Sequence, residues 1–191
     1  MTRTLRILGL SLAASTLFAG AASAAETYTV DNSHTAVLFF AKHFQFGQVI
    51  GRFKAVSGEY SLDEADITKS KLSLELKIDS LDTNEGKRDE HLKGPDFFNA
   101  KQFPTATFVS TAVKKAGDAL EVTGDLTIHG VKKATTLKVK PIAKGNDPFG
   151  MTRTGFEGEL NINRNDFGVS GLPPIPADIK LMFSLEGVLK K

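Results

Sequence analysis

The chain has 191 residues, 41% of them hydrophobic and 24% charged, which suits one domain with a substantial core rather than a disordered chain. Its 24 Lys and Arg stand against 22 Asp and Glu, and it has no cysteine. A disulfide framework, thiolate catalysis and cysteine-ligated metal are therefore excluded, and the near-neutral balance argues against nucleic acid as a partner.

Residues 1–24 read as a secretory signal. Arg3 and Arg6 precede an apolar run over 7–18, and Ala22-Ser23-Ala24 fits a small-x-small cleavage site. This predicts a mature domain over 25–191. The leader takes two arginines and no acid with it, leaving 22 basic and 22 acidic residues. Its apolar run is too short to span a membrane, and no later segment approaches the ~18 apolar residues required. Export without disulfides fits a bacterial periplasm.

From Thr27 onward the dominant period is two. A short strand is predicted over 27–30, then strand-like runs over 35–44 and 48–61. Residues 63–70 read as a short helical turn, with Asp63, Glu64 and Asp66 early and Lys69 late, as the helix dipole prefers. Leu72, Leu74, Leu76 and Ile78 then alternate with Ser73, Glu75, Lys77 and Asp79, the pattern of a strand with one wet face. Asp82 is placed to cap a helix running roughly over 85–93, with Glu85 at its third position and Gly94-Pro95 as its stop. Phe97-Phe98 and Phe103-Pro104 follow, so helix and loop together are an excursion able to lie across a barrel mouth. Further strands are predicted over 105–115, 120–128, 133–143, 156–162 and 179–189, joined by turn chemistry at Ala116-Gly117-Asp118, His129-Gly130 and Gly145-Asn146-Asp147-Pro148.

Connections of hairpin length favour antiparallel pairing. The expected fold is therefore all-β: eight long strands, or nine with 27–30, closing into an antiparallel barrel with one or two short helices. Such a barrel either fills its interior with side chains or holds one small apolar ligand. The period of two is the same in both cases.

Several segments also resemble the YceI-like polyisoprenoid-binding family. They are Asp31-Asn32-Ser33-His34-Thr35, Gly51-Arg52-Phe53, Ser80-Leu81-Asp82-Thr83, Arg88-Asp89-Glu90-His91-Leu92, and Asp96-Phe97-Phe98 with Phe103-Pro104. Gly124-Asp125-Leu126-Thr127-Ile128-His129-Gly130-Val131, Gly155-Phe156 and the run from Ile162 to Gly168 complete the series. Together, in this order, they span the chain beyond its leader. The chain departs from the family pattern at Phe149, where Trp is common, at Lys133-Ala134 and at Lys93-Gly94-Pro95. The resemblance implies an elongated, lipocalin-like barrel whose apolar bore holds a long-chain isoprenoid lipid, such as a quinone or polyprenyl phosphate, or a similar amphiphile.

On that basis the expected tail-lining residues are Phe39, Phe53, Leu74, Leu76, Phe108, Leu126, Phe156, Leu160, Leu181 and Phe183. Arg88 and His91, three apart on the helix and so on one face, are candidates for the lipid head; the competing role is to anchor the loop. Arg164 and Asp166 are candidates for a buried strut closing the barrel.

No catalytic centre, cofactor or metal site is expected. His34, His43, His91 and His129 lack the short paired spacing of zinc ligands, and His129, beside Gly130 in a turn, is expected to tie down loop backbone. Residues 82–93 fail the calcium-loop pattern, with Gly86 fifth and Lys93 twelfth. Phe167-Gly168-Val169-Ser170-Gly171 is not a nucleophile elbow, Ser33 and His34 pleat to opposite faces, and no acidic pair marks a glycosidase. Two readings stand: a periplasmic lipid carrier, or a filled-barrel stress-response or interaction protein without a diffusible ligand.

Overall fold

The computed structural model describes residues 25–171 and 175–191. The expected leader over 1–24 lies outside the described residues. The strands are β1 (Glu26–Val30), β2 (Ala36–His43), β3 (Gly47–Phe53), β4 (Val56–Leu62), β5 (Lys71–Lys77) and β6 (Leu81–Asp82). After helix α1 (Gly86–Lys93) come β7 (Thr105–Ala116), β8 (Ala119–Ile128), β9 (Val131–Asn146), β10 (Thr152–Asn163) and β11 (Asp178–Leu189).

Every pairing is antiparallel, and the pairing of β1 with β11 closes a ring of eight: β1, β4, β5, β7, β8, β9, β10 and β11. The remaining strands continue ring positions. Strand β11 meets β1 through residues 187–189 and meets β2 through residues 179–184, so β1 and β2 are two halves of one interrupted strand. In the same way β3 precedes β4 in one strand, and β6 extends β5. The separate strand expected over 27–30 thus shares a ring position with 35–44, and the eight-stranded barrel holds.

The interruptions carry their own hydrogen bonds, because backbone groups released from a ladder must find other partners. A 3₁₀ turn at Asn32–His34 breaks the first strand, capped by the Asp31 side chain, so Ser33 and His34 do not pleat to opposite faces: the Ser33 hydroxyl lies 3.1 Å from His34 Nδ1. Alongside it the run 48–61 breaks at Lys54-Ala55. The Asn32 Oδ1 accepts from the Val56 amide at 2.7 Å, while Ser80 accepts from Ala55 N–H through its hydroxyl and from Lys54 N–H through its carbonyl. A period-two pattern does not register such a break, since the side chains on either side still alternate.

Two helical expectations shift. Only Ile67–Lys69 of the segment 63–70 is helical, and Asp66 caps it. The cap of α1 is Glu85, whose carboxylate accepts from Lys87 and Arg88 N–H; Asp82 instead accepts from Asn84 N–H. Asn84 has a φ of 63°, a turn that carries Asp82 away from the helix start.

The register sets the interior. Leu160, Leu181, Phe39 and Gly51 are successive partners across β10, β11, β2 and β3, while Leu74, Phe108 and Leu126 are partners across β5, β7 and β8. At one end, the helix end, sit α1, the β2–β3 turn, the β8–β9 turn and the loop between β10 and β11. At the other, the far end, a second apolar cluster of Tyr28, Val30, Val56, Tyr60 and Leu185 packs inside the ring, with Tyr28 and Tyr60 stacked 5.2 Å apart. Among the described residues no helix is long and apolar enough to cross a membrane.

Candidate functional site: a hollow apolar bore

The barrel is not filled. A cavity of about 490 Å³ runs inside it, from Leu62, Ser70 and Lys71 towards the far end to Lys42, His43, Arg88 and His91 at the helix end. That volume lies within the range of about 300–1,000 Å³ found for small-molecule sites. The ten apolar residues named above as tail-lining border this cavity, among them Phe39 and Phe53, whose rings tilt against each other 5.9 Å apart. Their inward side is set by pairing: Phe53 faces Val37, and Phe39 faces Gly51 and Leu181.

The sequence-based set omitted part of the wall. Val113, Val122, Ile128, Leu137 and Val139 also line the cavity, and Val122 and Ile128 belong to the strand expected over 120–128. The rim residues Phe97, Phe98, Phe167, Val169 and Ile175 come from segments outside any strand, where no period could reveal their facing. Phe98 packs edge-on to Phe53 at 6.0 Å, so the excursion after α1 does reach across the mouth.

The polar part of the lining is one-sided. Lys42, His43, Lys71, Arg88, His91 and Arg164 contribute to it together with small hydroxyls, and no Asp or Glu does among the described residues. Arg88 is partly committed: its Nε donates to the Thr83 hydroxyl at 2.7 Å and its Nη2 to the Thr83 carbonyl at 2.8 Å. Thr83 in turn donates its hydroxyl and its N–H to Asp89 Oδ1, so Arg88, Thr83 and Asp89 bind α1 to β6. Arg88 is therefore both anchor and rim. His91 lies edge-on to Phe97, 3.6 Å from the exposed Asp96, and lines the same mouth.

Arg164 is the buried strut, but Asp166 is not its partner. Asp166 is exposed, whereas the Arg164 guanidinium donates to the carbonyls of Val169 at 2.7 Å, Ile175 at 2.9 Å and Ser170. It knots the β10–β11 loop under the helix end. Burial pushes its pKa down, and the carbonyl fork is what allows a guanidinium to stay there.

His129 also departs from expectation, since it ties down no backbone among the described residues. Its φ of 52° and the 75° of Gly130 give both central residues of the two-residue β8–β9 hairpin positive φ, as a type I′ turn requires. The ring lies against Phe103, 4.4 Å between centroids, and its buried Nε2 has no partner among the described residues.

Asp31, His34 and Glu186 converge as a metal site would, outside the bore. The Arg153 guanidinium already stands among them: its Nη1 donates to Asp31 at 2.7 Å and to Glu186 at 2.6 Å, and its Nε donates to Asp147 at 2.7 Å. The Ser33 hydroxyl, then Arg153 and His34, hold the Asp31 carboxyl well below the usual carboxylate range. This cluster fastens β1, β10, β11 and the β9–β10 turn together.

A closed antiparallel ring of eight around an apolar cavity with a helix at its mouth defines a lipocalin-like β-barrel. Within that class, the chain matches the model of the YceI-like domain over residues 28–187, and it belongs to the YceI-like family. It is 41% identical over 188 residues to the protein YceI of Escherichia coli O157:H7, covering 97% of this chain and 98% of that one. The crystal structure of BcnA from Burkholderia cenocepacia superposes with a TM-score of 0.75 at 28% identity, covering 82% of this chain and 98% of that one. A structure described as a polyisoprenoid binding domain from Saccharophagus degradans, implicated in plant cell wall breakdown, shares the fold. Its TM-score is 0.65 at 17% identity, covering 85% of this chain and 98% of that one.

Proposed function

We propose that this chain is a periplasmic binding and carrier protein, not an enzyme, for a long-chain polyisoprenoid, and that its preferred ligand carries an anionic head. The observation that carries the reading is the lining: apolar along the bore, basic at the helix end, and without a carboxylate among the described residues. The ten residues Phe39 to Phe183 named above are the tail wall; Arg88 and His91, joined by Lys42 and His43, meet the head. This favours a polyprenyl phosphate over an isoprenoid quinone, because the ring of donors has a charge to neutralise only in the former. The family membership and the shared fold of the Saccharophagus domain support an isoprenoid as cargo, and the leader pattern over 1–24 supports the compartment.

Chain length follows from magnitudes. Association costs roughly 4–15 kcal/mol in lost freedom and each buried CH₂ returns about 0.8 kcal/mol. A lipid burying about six such groups hardly binds, whereas one burying about twenty holds tightly without a strong polar anchor. The hollow bore disfavours the filled-barrel alternative, which has no place for a saturable ligand.

The test is extraction and mass spectrometry of lipid from protein purified from its native periplasm, with uptake by delipidated protein of a polyprenyl phosphate, its alcohol and an isoprenoid quinone. Tighter binding of the phosphate than of the alcohol, weakened a few-fold by joint K42A and H91A substitution, supports the assignment. Absence of any extractable or saturable lipid overturns it. Intact mass of the exported chain should show a start at Ala25 or Glu26; a mass that includes residues 1–24 sinks the periplasmic assignment.

A further inference from the structure

We propose that the β2–β3 hairpin is a membrane-docking element that seats the mouth of the bore on a phospholipid bilayer. The proposal rests on the carrier reading for its purpose, but its evidence is separate. Strand β2 departs from the alternation that β5 and β10 keep. Strands β5 and β10 turn Ser73, Glu75 and Lys77, or Glu157, Glu159 and Asn161, to the outside, as half-buried strands do. On β2 the inward residues Val37, Phe39 and Ala41 line the cavity, yet the outward ones are Leu38 and Phe40. Their partners continue the strip: Leu38 lies opposite Met182, and Phe40 opposite Ile50.

The strip leads to the hairpin tip, where every residue from Lys42 to Gln48 is exposed and Phe46 is 81% so. Phe44 has a φ of 53°, a conformation a bulky side chain adopts only where the turn demands it, and its ring stands 4.6 Å from that of His43. A contiguous apolar patch of this kind marks an interaction surface.

Continuity with the cavity decides the occupant. Lys42 and His43, flanking the tip, are themselves part of the cavity lining, so the aromatic tip is the lip of the mouth. An apolar chain long enough to fill the bore resides in a bilayer, and a lip of Phe44 and Phe46 beside a Lys is the arrangement that partitions into the interfacial layer. A second copy of the chain seated on the same tip would cover the mouth instead of serving it.

The fold supplies its own control. Phe149, 86% exposed, stands on the β9–β10 turn at the far end of the barrel. Delipidated wild type, F44S/F46S and F149S would be compared by co-sedimentation with phosphatidylglycerol/phosphatidylethanolamine vesicles. Uptake of a polyprenyl phosphate would be followed from those vesicles and, separately, from detergent micelles. The tip variant should lose about tenfold or more in vesicle partitioning and in the rate of uptake from vesicles, since two aromatic side chains no longer leave water. Its binding from micelles and its thermal melt should match wild type, and F149S should match wild type throughout. Docking is overturned if wild type does not co-sediment, if F149S is as damaging as F44S/F46S, or if wild type is a dimer that the tip variant makes monomeric. Failure of wild type to bind lipid from micelles overturns the carrier reading instead, and tip-dependent co-sedimentation still decides the docking.

Discussion

Phe39 and Gly51 face each other across β2 and β3, and the Phe39 ring lies where a Cβ on Gly51 would be. The glycine is a packing requirement of the bore: its missing side chain lets the ring lie flat on the wall beside Phe53. Gly51→Ala should push that ring into the cavity. The expected cost is about 1–3 kcal/mol, as for other overpacked cores, read as a lower urea midpoint at unchanged slope. Capacity for the lipid tail should fall with it. A variant that keeps wild-type stability and uptake would show that Phe39 has a second place to go.

Leu181 sits between Leu160 and Phe39 in the same inward rung. Leu181→Phe adds bulk to the bore without adding a polar group. The expected outcome is a shift of extracted or accepted lipids to shorter chains, with the circular dichroism spectrum unchanged. Phe183→Lys, which places a charge on the wall, should abolish lipid retention; dichroism separates that from unfolding.

Arg164 offers a harsher test. Truncation to Ala leaves the carbonyls of Val169, Ser170 and Ile175 without their donor, at about 1–3 kcal/mol for each that stays buried. Urea unfolding should show a large loss. Arg164→Lys should recover little of it, because an ammonium cannot fork to three carbonyls as a guanidinium does.

Acid should loosen the Arg153 cluster in a predictable direction. The Asp31 carboxyl is depressed below its unfolded-state value by the Ser33 hydroxyl first, then Arg153 and His34. A depressed carboxylate contributes stability that is fully present above its unfolded pKa of about 3.9 and is lost as pH falls towards the folded value. The urea midpoint of wild type should therefore decline below about pH 4. Asp31→Asn should be less stable at neutral pH and lose less on acidification. Parallel pH profiles for the two proteins would show that Asp31 is not the group responsible.

Much of the wall was readable because an inward side chain on a strand repeats every second residue. Leu74, Leu126 and Leu181 could be assigned a face from a dozen neighbouring letters. The rim was not readable that way. Phe167 and Ile175 reach the mouth through the segment that Arg164 holds, and Phe97 through the turns that follow α1. For His129, the sequence marks a turn at His129-Gly130, but the burial of its ring under Phe103 depends on a residue some two dozen positions earlier.

The chain's own pattern thus determined the all-β class, the antiparallel order, the helical excursion between two strands and most of the apolar wall, because each is a local property of alternation and turn chemistry. Whether the barrel is hollow was decided only in three dimensions. A filled barrel and an empty one share the same alternation, and the difference lies in how far the side chains of opposite strands reach towards each other. The basic mouth likewise exists only once β2, α1 and the β10–β11 loop are folded to one end, since Lys42, Arg88 and Arg164 are too far apart in sequence for any local rule to join them.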